Sequence, residues 1–190
     1  GARTPLKNAT NRIPLTSLSI HLSIFDASQV NLLKAAKAGK LAEEPMSNIR
    51  RAAVIGSGTM GASIAAHLAS AGIPTLLLDI PSPDGPRSGI AQKGLERVLK
   101  SRPPAFLRPE AAALISVGNT EDDLEKLKDV DWVIEAIVEN LKVKQELLQK
   151  LEKVVGPETI VSSNSSGIPM KLQASVLSDD LKKRFLGTHF

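Results

Sequence analysis

Along residues 51–190 the apolar positions switch between two rhythms. Short unbroken apolar runs alternate with stretches whose apolar residues recur three and four positions apart. The first rhythm predicts strands buried on both faces of a parallel sheet; the second predicts helices that bury one side. Residues 52–55 are the first run, and residues 59–71 the first helix, with Ile64, Ala65, Leu68 and Ala69 on one face and Gly72 closing it. Residues 73–79 are a second strand ending on Asp79. After a Pro- and Gly-rich loop over 80–89, Ile90, Leu95, Val98 and Leu99 mark an amphipathic helix over 90–100, ended by Pro103 and Pro104. Residues 109–114 predict a short helix, 115–117 a third strand and 121–127 a short acidic helix or turn.

The second half repeats the alternation. Residues 130–138 read as a fourth strand. Residues 140–155 read as a helix, with Leu141, Lys144, Leu148, Leu151 and Val155 on one side and Leu147 and Val154 widening it. Glu146 and Lys150 are spaced as an i,i+4 pair, and Gly156-Pro157 ends the segment. Residues 159–162 are a fifth strand, 168–177 a short helix and 184–188 the start of a sixth strand. Strands and helices in strict alternation imply an α/β doubly wound parallel sheet. Residues 1–45 break this pattern. They divide the chain into an N-terminal extension, 1–45, and a domain over 46–190. Residues 28–41 of the extension could form one helix, with Val30, Leu33 and Lys37 on one side.

Charge separates the same two parts. Of the net +4, all lies in residues 1–50, which hold seven Lys/Arg against three acids; residues 51–190 hold seventeen of each. The positive balance is therefore not a nucleic-acid surface, and four Phe, one Trp and no Tyr leave little for base stacking. No apolar run is long enough to span a bilayer, so no membrane partner is expected. The absence of cysteine excludes disulfides and thiolate ligands, and no metal site is expected. A cytoplasmic location fits. The acid-poor, Ser-rich start resembles an organelle (mitochondrial) targeting segment, but its few Arg residues favour a leader, a cloning remnant or an appended arm, with Met46 as a natural start.

Candidate chemistry gathers at strand ends. Gly56, Gly58 and Gly61 follow the first strand as G-x-G-x-x-G and open the first helix. Gly56 suits the tight turn, Gly58 the approach of backbone to a pyrophosphate, and Gly61 close packing of helix on strand. Asp79 lies 18 residues after Gly61 at the next strand tip. There a carboxylate accepts from the adenine-ribose hydroxyls and repels a 2′-phosphate, which implies NAD rather than NADP; FAD uses the same first unit. Glu139 and Lys144 flank the start of the helix after the fourth strand. Alone, each has an ordinary reading: a carboxylate on the helix dipole and a solvated helix charge. Ser165 and Ser166 follow the fifth strand and could face a ligand or cap the turn at Ile168. His189 ends the sixth strand, where an imidazole could serve as general base. His67 and His21 lack chemical neighbours and read as structural.

Four motifs now stand in order: residues 53–66 around the glycines, Ile134-Glu-Ala-Ile-Val-Glu-Asn-Leu-Lys-Val-Lys144, Ser163-Asn-Ser-Ser166, and Phe185-Leu-Gly-Thr-His-Phe190. Together they resemble the NAD-binding domain of the L-3-hydroxyacyl-CoA dehydrogenase family of fatty-acid β-oxidation. The run from Ser162 to Pro169 resembles bacterial members, some of which also carry an enoyl-CoA hydratase domain. The resemblance implies a Rossmann-type, mostly parallel sheet, NAD as cofactor and an acyl-CoA thioester as substrate. It assigns Gly56, Gly58, Met60 and Gly61 to the pyrophosphate loop and Asp79 to the ribose. It places Ile137, Val138 and Glu139 on the nicotinamide side, Lys144 against the cofactor, Ser166 against cofactor and substrate hydroxyl, and His189 as the base. The family pattern continues past His-Phe to an Asn-Pro pair and a Glu that orients the histidine, then to a helical domain that makes a homodimer. These lie beyond Phe190, so the 190 residues alone are expected to bind NAD and to catalyse poorly. For the CoA moiety, Lys93, Lys100 and Arg102 are candidates by charge only.

Overall fold

The computed structural model describes residues 49–190. The expected helix over 28–41, the targeting-like segment and His21 lie outside the described residues. Six strands form one parallel sheet: β1 (Ala52–Ile55), β2 (Thr75–Asp79), β3 (Ile115–Asn119), β4 (Trp132–Glu135), β5 (Ile160–Ser163) and β6 (Phe185–Gly187). Their order is β3-β2-β1-β4-β5-β6. Helix α1 (Thr59–Ser70) follows β1, α2 (Gly89–Leu99) joins β2 to β3, and α3 (Leu141–Glu152) joins β4 to β5. Two one-turn helices, α4 (Met170–Gln173) and α5 (Asp179–Lys182), lead into β6. This is the α/β doubly wound, Rossmann-type arrangement. The chain builds outward from β1 to one edge, then returns to β4 and builds to the other, which opens a crevice between β1 and β4 at their carboxyl ends.

The unbroken apolar runs are explained by burial on two faces. Successive strand residues point to opposite sides. Ala52, Val54, Leu77 and Ile134 pack with Ala62, Ala65, Ala66 and Ala69 of α1. Ala53, Ile55, Leu76, Leu78 and Val133 pack with Leu147, Leu148 and Leu151 of α3. The alanine-rich face of α1 lets it lie close to the sheet, and Gly72, at φ 85°, ends it by donating to the Ala69 carbonyl at 2.9 Å.

Several boundaries differ from the expectation. Residues 109–114 and 124–129 are 3-10 turns: each is short and buries only one residue, Ala111 or Leu127. The segment 168–177 is not one helix, because α4 passes into a 3-10 turn over Ala174–Val176. The fourth strand stops at Glu135 rather than at 138, since the Ile137 N–H turns back to the Glu135 carboxylate at 2.8 Å. Helix α3 ends at Glu152 rather than 155, and Lys153 to Val155 close it as turns. Glu146 does not pair with Lys150; Lys142 approaches it instead, at 4.0 Å on the exposed side.

Candidate functional site

The glycine turn sits at the mouth of the crevice. Gly56 has φ 101°, a conformation that disfavours any side chain, and a methyl group added there would lie 2.5 Å from the Ala136 carbonyl oxygen. A methyl group on Gly61 would lie 1.7 Å from the Gly56 carbonyl oxygen. The third glycine thus admits the turn's own carbonyl beneath the helix, a narrower task than general helix–strand packing. Around Gly58 the reverse holds: an added methyl group meets nothing within 4 Å. Gly58 begins α1 without a capping side chain, and the first turn of α1 carries no acid. Helices α3 and α5, by contrast, are capped by Asn140 and Ser178. The N-terminus of α1 therefore keeps its free N–H groups and its positive dipole end for an anion from outside.

Asp79 is already engaged. Its Oδ2 accepts from the Ser57 N–H and hydroxyl, each at 2.6 Å, and its Oδ1 accepts from the Ile80 N–H at 2.8 Å. These bonds tie the tip of β2 to the glycine turn and fix the carboxylate, with lone pairs left for further donors. It borders a cleft of about 130 Å³ with Ile55, Gly56, Ile80, Thr120 and Ile137. Ile137, expected on the nicotinamide side, also lines this cleft. Val138 is largely exposed. The loop after β2 is pinned by Arg87, which donates to Asp122 at 2.6 Å and Glu121 at 2.8 Å. With the Asn119 amide adding to Arg87's bonds, the Asp122 carboxyl is held down at about 2.

Across the crevice, the tips of β4 and β5 are joined by a buried polar network. Glu135 is fully buried; its Oε1 accepts from Lys144 Nζ at 2.7 Å and its Oε2 from the Ser163 hydroxyl at 2.5 Å. Lys144 is buried too, and its ammonium lies 3.3 Å from Glu139 Oε2. The reading of Lys144 as a solvated helix charge is therefore corrected: it points inward, where the two carboxylates compensate its desolvation. Through Glu139, which lines the cavity at the strand tips, its ammonium is linked to the cleft. Glu139 Oε1 in turn accepts from the Ser165 hydroxyl and the Gly167 N–H. The Ser165 bond chiefly, then Gly167 and Lys144, hold the Glu139 carboxyl down at about 2.

The serine pair divides its work. Ser165 Oγ accepts from the Ile168 N–H at 3.2 Å, the local capping role. Ser166 points away, and its Oγ lies 3.1 Å from His189 Nε2. His189 is held from both sides: the Thr188 N–H donates to the Ser163 carbonyl at 3.0 Å and the Phe190 N–H to Asn164 Oδ1 at 3.2 Å. Glu139, Asn164, Ser166, Gly167 and His189 line one cavity of about 420 Å³, with Met60 of the glycine turn on its other wall. A neighbouring apolar cavity of about 680 Å³ shares Met60 and Phe190 and is lined by Arg102, Pro103, Pro104 and His67. His67, read as structural, is an exposed residue on the wall of this cavity. Of the three cations suggested for CoA, only Arg102 borders that space; Lys93 and Lys100 do not.

Ser57 has no role legible in the sequence, and Ser163, one of the hydroxyls after β5 that could face a ligand, gives its proton to the buried Glu135 carboxylate. Glu135 was the more visible signal, a carboxylate inside an apolar strand run, where an ionised group needs a buried partner. The residues present fit a dinucleotide: an open space over Gly58, free N–H groups on α1, a fixed carboxylate at β2 and a cavity at the far tips.

Residues 51–190 match the family described as 3-hydroxyacyl-CoA dehydrogenase, NAD binding domain. A protein of Deinococcus radiodurans named probable 3-hydroxyacyl-CoA dehydrogenase is 61% identical over 143 residues, 75% of this chain and 41% of that protein. One of the same name from Bacillus subtilis is 44% identical over 158 residues, covering 75% of this chain and 20% of that one. Among solved structures, 3-hydroxybutyryl-CoA dehydrogenase of Escherichia coli K12 superposes with a TM-score of 0.63 at 32% identity, over 76% of this chain and 30% of that chain.

Proposed function

The chain belongs to the 3-hydroxyacyl-CoA dehydrogenase family through its NAD-binding domain, and from that premise we propose that the protein oxidises 3-hydroxyacyl-CoA thioesters to 3-ketoacyl-CoA with NAD. The observation that carries this reading is the 3.1 Å contact of His189 Nε2 with Ser166 Oγ, in a cavity that Met60 shares with the glycine turn. NAD would be held by Gly58 and the α1 N-terminus at its pyrophosphate and by Asp79 at its adenine ribose, with Glu139 and Ser166 toward the other end. When bound, the nicotinamide ring supplies the acceptor for the hydride that leaves C3 of the substrate.

The protein's own part is proton chemistry and orientation. His189, with Nε2 unprotonated, takes the proton of the substrate hydroxyl as the hydride departs. Ser166 stands within reach of the same nitrogen and fixes where that hydroxyl sits. Glu139, ionised far below neutral pH, holds the Ser165–Gly167 turn that presents Ser166. The domain division at 45/46, the cytoplasmic setting and a homodimer of the longer protein belong to this same proposal. Arg102, on the wall of the adjoining apolar cavity, is our candidate for contact with the CoA side of the substrate.

The deciding experiment uses the full-length protein with 3-hydroxybutyryl-CoA, NAD and, separately, free 3-hydroxybutyrate. Formation of NADH with the thioester and not the free acid is the expected outcome. Turnover of the free acid alone would make this a hydroxy-acid dehydrogenase, and NAD binding with no turnover of either a non-catalytic sensor. His189→Ala should lower kcat by about 10²–10⁴ while leaving the NAD dissociation constant nearly unchanged.

A further inference from the structure

Gly94 and Arg97 are ordinary positions of an amphipathic helix by sequence, yet both press on Ser57, the residue between the first two glycines. A methyl group added to Gly94 would lie 2.6 Å from the Ser57 carbonyl oxygen and 2.7 Å from Ser57 Cβ. One turn later, Arg97 Nη2 donates to that same carbonyl at 2.7 Å. The Ser57 Oγ, whose proton goes to Asp79, also lies 3.2 Å from the Ile90 carbonyl oxygen, so α2 touches this residue at three points. Ser57 is buried, whereas Gly58 is exposed with open space above it.

The carbonyl of Ser57 and the N–H of Gly58 share one trans peptide, in which the two groups lie in a plane and point in opposite directions. Arg97 thus holds the plane from behind while the Gly58 N–H faces the open side. No acceptor among the described residues takes that N–H. A guanidinium on the carbonyl also polarises the peptide and makes its N–H a stronger donor. We infer that Arg97, seated by Gly94, is a positioning residue for the cofactor pyrophosphate: it sets the Ser57–Gly58 peptide so that its N–H meets a phosphate oxygen. The residue itself touches neither substrate nor reacting atoms. The inference rests on the reading of the crevice as an NAD site.

Calorimetric binding of NAD, ADP and adenosine to the full-length protein separates the possibilities. Arg97→Met should weaken NAD and ADP about tenfold and leave adenosine unchanged, because only the first two carry a pyrophosphate. Arg97→Lys, which keeps a charged donor, should recover part of the loss, and Gly94→Ala should give the same split by displacing the peptide. An equal loss for all three ligands, or no loss for any, overturns the inference. A wild-type protein that fails to bind NAD overturns the cofactor assignment together with it, whereas one that binds NAD isolates the test to Arg97.

Discussion

Single residues do sharply different work within a few ångströms of one another. Gly61 has no room for one methyl group and Gly58 has room to spare. Gly61→Ala should therefore destabilise the protein by about 3 kcal/mol or more and abolish NAD binding, since a backbone carbonyl cannot step aside. Gly58→Ala should leave stability within about 0.5 kcal/mol and still weaken NAD, because in the proposed site that space is the pyrophosphate's. Thermal melts beside NAD titrations of both variants would show the contrast; two variants that behave alike would refute it. The Glu135–Lys144 pair is a second case. Both side chains are buried, so Lys144→Met leaves a carboxylate without its cation and should cost about 3–5 kcal/mol. Replacing both partners, Glu135→Gln with Lys144→Met, should cost less than the sum of the two single changes. Additive losses in denaturant unfolding would argue against coupling.

At the scale of elements, the site is a junction of strand tips, and Glu139 is the hinge pin between two of them. It accepts from the turn after β5 and lies beside Lys144 of α3. Its carboxyl is lowered from 4.5 to about 2, so the ionised form is favoured by the fold. The sign follows: this contribution is fully present above about pH 4.5 and is lost as pH falls toward 2. Because Glu139 is half-exposed, the energy involved is modest. Glu139→Gln should shrink the difference in melting temperature between neutral and acid solution relative to wild type. An unchanged acid limb would mean that other carboxylates set it. The same hinge explains why α3 carries a lysine on its buried side: the helix supplies the cation that lets two carboxylates sit at the end of β4.

At the scale of the molecule, the strand order brings β2, β1, β4, β5 and β6 to one edge with their carboxyl ends aligned. Asp79 and His189 then stand on opposite sides of the β1–β4 crevice, with the glycine turn between them. That separation suits a long two-ended cofactor whose middle is anionic. NAD at about a hundred times its dissociation constant should stabilise the protein by about 2.7 kcal/mol, visible as a rise in melting temperature. Asp79→Ala should reduce that rise for NAD and narrow the gap to NADP. A mutant that still discriminates as strongly as wild type would place the ribose elsewhere.

Much of this architecture was readable along the chain because its causes are local. Glycine spacing, unbroken apolar runs and the three-four rhythm of helices reflect backbone geometry and burial, which each segment carries within itself. The order of elements, the NAD reading of Gly56 to Asp79 and the candidacy of His189 were legible at that level, whereas the choice of Ser166 rested on the resemblance of four ordered motifs. Other matters depend on residues far apart in sequence meeting in space. Ser165 and Ser166 are neighbours with the same chemistry, and only the approach of Glu139 and His189 assigns one to the turn and the other to the cavity. Lys144 reads as a surface charge until β4 places Glu135 beneath it. Arg97 and Gly94 have no meaning without Ser57, 37 positions from Gly94 and 40 from Arg97 in the chain. Sequence determined the elements and the kinds of chemistry at their ends. Which side chains meet was decided by the packing of helices on the sheet, because hydrogen bonds and ion pairs act over distances that only the folded chain closes.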